Sequence, residues 1–131
     1  MLLSFSLTSA LAKLVVHEVE SAALHQWANA CGDTLITNDL ARTELMRAVR
    51  RIAPDFALAA RHVLDAVGIT TMRTELFEIA GRLDPPSLRS LDALHLAAAL
   101  DFGDELAGFV TYDERLAHSA ELFGIHVLAP R

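Results

Sequence analysis

Short β-prone runs recur along this chain, and each is followed by a longer stretch whose apolar residues repeat every three to four positions. That alternation admits little besides a parallel sheet with helices on both faces, because each parallel strand pair needs a crossover long enough to hold a helix. Residues 2–6, 34–37, 69–72, 108–112 and 125–128 are the strand candidates. Thr8 and Ser9 are placed to cap a helix running to about Val16, and a second helix over 18–30 ends at Gly32. Asn38 and Asp39 are suited to cap a helix over 40–52, and Pro54 opens another that runs to Val67 and stops at Gly68. Further helices are expected over 74–82, from Ser90 through Asp101 with Gly103 at its end, and over 113–123. The strongest breaker, Asp84-Pro85-Pro86-Ser87, is too short for a domain linker. The reading is α/β: a single three-layer α/β/α domain over residues 1–131, with a parallel sheet of four to five short strands.

Composition narrows the function classes. Hydrophobic residues at 53% and charged residues at 21% fit a compact core and exclude a disordered chain. A net charge of −6 argues against holding nucleic acid by bulk electrostatics and leaves a local basic patch open. Ten of the eleven basic residues are arginine, the better side chain for forked contacts to phosphate; Lys13 is the only lysine. The single Cys31 cannot form an internal disulfide, no Cys/His spacing resembles a structural zinc site, and a reducing cytoplasm is the simplest home. The first twelve residues are apolar, but they lack a basic flank and are broken by Ser4, Ser6, Thr8 and Ser9, so they do not read as a secretory signal. No run reaches the ~18 apolar residues of a membrane span, and no membrane partner is expected.

In open parallel sheets the working site lies beyond the carboxyl ends of the strands, where strand order reverses. No Gly-rich dinucleotide fingerprint or phosphate loop follows any strand here. Three acids stand near the places that rule selects. Glu44 falls on the rim of the apolar stripe formed by Ala41, Leu45, Ala48, Val49 and Ile52, which suits a metal ligand or a surface glutamate paired with Arg47. Asp92 sits with His95 on an otherwise apolar helix, where a carboxylate needs a partner; it also suits the helix N-terminus, and His95 reads as an ordinary packed histidine. Asp113 follows the fourth strand and is a natural N-cap, with Thr111 and Glu114 matching a capping box. Converging carboxylates repel one another unless protons or a cation neutralise them, and hard oxygen ligands favour Mg²⁺ or Mn²⁺.

Four segments carry a resemblance. Leu91-Asp92-Ala93-Leu94-His95-Leu96-Ala97 and Phe109-Val110-Thr111-Tyr112-Asp113-Glu114-Arg115-Leu116 are the most specific, and Thr8-Ser9-Ala10-Leu11-Ala12-Lys13-Leu14 and Glu44-Leu45-Met46-Arg47 agree in order. Over nearly its whole length the chain resembles the PIN-domain ribonucleases, specifically VapC-type toxins of bacterial toxin–antitoxin pairs. The resemblance implies a PIN-like fold, an acid quartet holding Mg²⁺ or Mn²⁺, and RNA cleavage, with Glu44, Asp92 and Asp113 as catalytic and metal-ligating residues. It also implies an aspartate directly before Thr8-Ser9, where this sequence has Leu7. Either the chain is a natural degenerate member or the position carries a disarming substitution, and loss of that ligand is expected to weaken metal binding and cleavage.

The leading expectation is therefore a metal-dependent endoribonuclease toxin in which the cation polarises the phosphodiester and activates water. Ser9 and Thr111 are expected to orient ligand carboxylates or bound water. Arg42, Arg47, Arg50 and Arg51 are expected either to contact RNA phosphates or to form a plain solvated face. The alternative is a catalytically dead PIN-like protein that binds an antitoxin or RNA. A phosphoryl-accepting receiver domain fits poorly, since its late-strand lysine is missing. Met46, Val49, Phe56, Leu58, Leu64 and Phe77 exceed what one side of a small sheet requires, unless they simply fill the core. The resemblance favours homodimerisation and capture of a VapB-type antitoxin.

Overall fold

The structure, a computed structural model, describes residues 3–30 and 34–131. Among them β1 (Leu3–Ser6), β2 (Thr34–Asn38), β3 (Gly68–Thr70), β4 (Leu106–Val110) and β5 (Val127–Leu128) form one sheet of order β3-β2-β1-β4-β5, parallel at every pairing. The helices are α1 (Thr8–Val15), α2 (Ser21–Ala30), α3 (Leu40–Ile52), α4 (Ala57–Ala66), α5 (Thr74–Gly81), α6 (Ser90–Leu100) and α7 (Glu114–Leu122). Single 3₁₀ turns at Pro54–Phe56 and Gly103–Glu105 lead into α4 and β4. Leu2, expected to open the first strand, and Gly32, expected to end the second helix, lie outside the described residues.

Two apolar layers sandwich the sheet. Phe5, Leu7 and Phe109 pack with Leu76 of α5, Leu96, Ala98 and Ala99 of α6, and Leu116 and Ala120 of α7. A second cluster joins Leu11 and Val15 of α1 to Ala41, Leu45 and Val49 of α3 and to Ala60 and Leu64 of α4. α6 is apolar almost all round because it is covered on two sides: Leu96, Ala98 and Ala99 pack on the sheet, and Ala93 and Ala97 pack against Ala80 of α5 with Leu83 and Leu88.

The expected elements are present, with shifted ends. The second helix starts at Ser21, whose hydroxyl accepts the Glu18 N–H and donates to the Lys13 carbonyl. Gly68 begins β3 instead of closing the preceding helix, and β4 starts earlier and stops earlier than its apolar run suggested. The largest departures concern caps. Thr8, Ser9 and Ser90 are helical residues, and the cap positions before them are Leu7 and Arg89, without side-chain cap bonds. Asp39 occupies its cap position but spends its carboxylate on Arg42.

β1 occupies the centre. The chain first moves outward through β2 to β3, then returns to the opposite side of β1 for β4 and β5. The carboxyl ends of β1 and β4 are therefore where the strand order reverses, and the crevice expected of open parallel sheets lies there.

Candidate functional site

Leu7, Thr8 and Ser9 leave β1 at this crevice, and Thr111 and Asp113 leave β4 beside them; Glu44 from α3, and Asp92 and His95 from α6, complete a cavity of about 130 Å³ that Leu116 also lines. The three acids expected from the sequence thus face one space, although they come from different elements: the second turn of α3, the first turn of α6 and the N-cap of α7. Among the described residues no group of three or more His, Cys, Asp or Glu side chains is drawn together closely enough to hold an ion.

Each acid is held differently. Glu44 Oε1 accepts hydrogen bonds from Thr8 Oγ1 at 3.3 Å and stands 2.6 Å from His95 Nε2. The expected pairing with Arg47 is not made. His95 is 3% exposed, and its other ring nitrogen lies 3.2 Å from Nδ2 of Asn38, a fully buried residue at the end of β2. Asp113 caps α7: its Oδ1 accepts from the N–H groups of Arg115 and Leu116 at 3.0 and 3.2 Å. Asp92 takes no hydrogen bond from the protein among the described residues. Burial first, and then the Asp113 carboxylate, push its pKa above the ordinary carboxylate value, with Glu44 adding to the repulsion and His95 and Arg89 opposing it. An acid without a hydrogen-bond partner among the described residues, destabilised in its charged form by two neighbours, marks the cleft as short of positive charge.

Ser9 and Thr111 do not bond the acids. Their hydroxyls bond each other at 3.2 Å, while Ser9 accepts the Tyr112 N–H and Thr111 accepts the Asp113 N–H, both at 3.1 Å. They tie the end of β1 to the end of β4 and hold the Asp113 backbone. Thr8, expected as a helix cap, is the hydroxyl that reaches a carboxylate.

The arginines of α3 are not at the cleft. Arg42 pairs with Asp39, and Arg47, Arg50 and Arg51 line a separate depression with Pro54. α3 rises about 1.5 Å per residue, so Arg50 and Arg51 stand roughly 10 Å along its axis from Glu44. Two arginines that the sequence did not single out are closer. Arg89 and Arg115 line, with Ser87, His118 and Ser119, a cavity of about 420 Å³ that shares Asp92 with the acidic cleft. Neither guanidinium has an ion pair or hydrogen bond among the described residues. Of the apolar surplus, Val49 and Leu64 are core and Met46 packs against it; Phe56 and Leu58 stay 46% and 68% exposed near an exposed Ile52, and Phe77 is 48% exposed on α5, in the other layer.

A five-stranded parallel sheet with acids gathered at its switch point defines an α/β domain built around an acidic cleft. The PIN domain family model matches residues 8–122. Ribonuclease VapC47 of Mycobacterium tuberculosis is 40% identical over 127 residues, covering 94% of this chain and 93% of that relative. The chain belongs to the PIN domain family, among the VapC ribonucleases. In fold it is similar to the M. tuberculosis VapC20 toxin, described as cleaving the sarcin–ricin loop, with a TM-score of 0.74 at 18% identity over 88% of this chain and 94% of that one. It is also similar to a chain of a toxin–antitoxin complex from Klebsiella pneumoniae, with a TM-score of 0.75 at 19% identity over 98% of each chain.

Proposed function

We propose that the chain is the ribonuclease toxin of a VapBC-type toxin–antitoxin pair and cleaves RNA phosphodiesters with the help of Mg²⁺ or Mn²⁺. The observation that carries this reading is the convergence of Glu44, Asp92 and Asp113 on the switch-point cleft. Their donor chemistry fits the ion. Mg²⁺ keeps several waters and typically takes one or two carboxylates, so part of this acid set suffices and no closed protein cage is needed. When bound, the ion would polarise the phosphodiester and lower the pKa of the attacking water.

The rest falls to the chain. Glu44 enters the cleft already tethered by Thr8 and His95, and Asp113 is fixed by the first turn of α7. Asp92, without a hydrogen-bond partner among the described residues, is the carboxylate freest to follow the ion. Leu7 and Leu116 supply hydrocarbon walls, which strengthen electrostatic contacts inside the cleft by excluding water. Arg89 and Arg115 are placed to bind RNA phosphates on the side of Asp92, in preference to the α3 arginines.

One feature favours the alternative of a catalytically dead PIN-like protein that binds an antitoxin or RNA. Leu7, 3% exposed, stands on the cleft wall where the family pattern expects an aspartate. The exposed Ile52, Phe56 and Leu58 suit an antitoxin helix or a second copy of the chain. No described helix is long and apolar enough to cross a membrane, and the cytoplasm stays our proposed location. Incubating the chain with RNA in Mg²⁺, Mn²⁺ or chelator decides between the two. Cleavage that needs metal and disappears in Asp92→Asn supports the nuclease, and RNA or antitoxin binding without cleavage supports the alternative.

A further inference from the structure

Asn38 is fully buried at the carboxyl end of β2, and its side-chain orientation is not arbitrary. Its Oδ1 accepts the Leu40 N–H at 2.9 Å, so its NH₂ group is the end that faces His95 Nδ1 at 3.2 Å. An amide NH₂ only donates, which makes Nδ1 the acceptor and places the ring proton on Nε2. That proton points at Glu44 Oε1, 2.6 Å away. The ring cannot turn freely, because Phe5 packs against it edge-on with centroids 6.3 Å apart. Thr8 also donates to Oε1, and Oε2 has no hydrogen-bond partner among the described residues. Both donors to Glu44 among the described residues, Thr8 and His95, therefore converge on one oxygen.

We propose that His95, locked as its Nε2–H tautomer by Asn38, is the positioning residue that holds Glu44 by Oε1 and presents Oε2 to the cleft. The assignment rests on the metal reading above. The lock matters because Glu44 is a flexible side chain entering a cleft with two other carboxylates. Untethered, it would swing away from Asp92 and Asp113. Partners that orient a ligand in this way affect metal affinity by about 10–100-fold when removed.

The test uses the intact chain, metal-free and then titrated with Mn²⁺. Long-range ¹H–¹⁵N correlation spectra should show His95 protonated at Nε2 and unprotonated at Nδ1. In Asn38→Asp, the facing donor becomes an acceptor and Nδ1 should become protonated. His95→Gln keeps an N–H near the Nε2 position and should bind Mn²⁺ within about threefold of the unsubstituted chain, whereas His95→Leu should bind at least about tenfold more weakly. A histidine that serves packing alone would leave Mn²⁺ affinity equal in the two His95 variants. That equality, or an Nδ1–H tautomer in the unsubstituted chain, overturns the assignment. No Mn²⁺ binding by the unsubstituted chain overturns the metal reading of the cleft instead, so the two failures are told apart.

Discussion

Replacing Leu7 with aspartate tests both the packing and the chemistry of the cleft. The Leu7 backbone is fixed from both sides: its N–H donates to the Val110 carbonyl, and its own carbonyl accepts from Ala10 and Leu11. An aspartate there inherits the leucine's direction into the space lined by Glu44, Asp92 and Asp113. Without metal the exchange is costly. It removes a side chain that is 3% exposed and packed in the main core, worth about 2–5 kcal/mol on the scale of buried leucine truncations. It also adds a carboxylate beside an Asp92 whose charge is already disfavoured. A loss of about 3 kcal/mol corresponds to a Tm lowered by roughly 10 °C in a domain of this size. With metal the sign changes. Three carboxylates should hold Mg²⁺ only in the millimolar range, and a fourth anionic ligand should tighten it. For a variant with Kd ~1 mM, Mg²⁺ at about ten times that concentration adds ~1.4 kcal/mol and restores about 5 °C. Differential scanning fluorimetry with Mg²⁺ and with chelator reads both effects, and Mg²⁺-dependent RNA cleavage should rise clearly above the starting protein. An unchanged metal-free Tm would refute the packing described for Leu7. A Leu7→Asp chain that gains no more from Mg²⁺ than the unsubstituted one would show that position 7 is not the missing ligand.

Other substitutions separate roles that coincide in one residue. Asp113→Asn keeps the cap on α7 and should change metal-free stability by only a few tenths of a kcal/mol while reducing Mn²⁺ affinity; Asp113→Ala should lose both, with about 1 kcal/mol from the cap, as chemical denaturation and calorimetry will show. Because the folded-state pKa of Asp92 is raised, its protonated form favours folding: that contribution is complete below the unfolded value of 3.8 and is lost as pH rises through the folded value. Denaturant titrations of the metal-free chain across that window should show the decline, and Asp92→Asn should flatten it. Arg89→Ala and Arg115→Ala should each weaken RNA binding and lower the salt slope by about one, whereas Arg50→Ala and Arg51→Ala should leave fluorescence anisotropy curves unchanged.

The fold was legible because periodicity is a local property: the apolar runs at 34–37 and 108–112 and the helical stripes between them mark the β2 and β4 regions and the crossovers. Glu44, Asp92 and Asp113 were legible as candidates because strand ends in such sheets point to one edge. What escaped was pairing at long range. His95 read as an ordinary packed residue, yet its partners Asn38 and Glu44 lie 57 and 51 positions away. The signal available was its polarity on an apolar helix, which demanded partners without naming them. The cap expected at Thr8 and Ser9 failed for a related reason, whereas Asp113 caps α7 as expected. Thr8 and Ser9 have the right chemistry for a cap, but tertiary partners on α3 and β4 claim their hydroxyls. For the α3 arginines, helical periodicity assigns a face and says nothing about which end of the sheet that face serves.

The hydrogen bond that ties Ser9 to Thr111 joins residues 102 positions apart. β1 therefore leaves the ribosome long before β4, the strand that completes its pairing, and at ~5–20 residues per second that wait lasts on the order of 5–20 s. During it the central strand has no neighbour on its β4 side, Asp113 does not yet exist, and the cleft is incomplete. The cleft is therefore assembled in one late step, when β4 and the segment after it join strands and helices made earlier. Any partner that recognises the finished cleft meets its target only after Asp113 and Leu116 have been made.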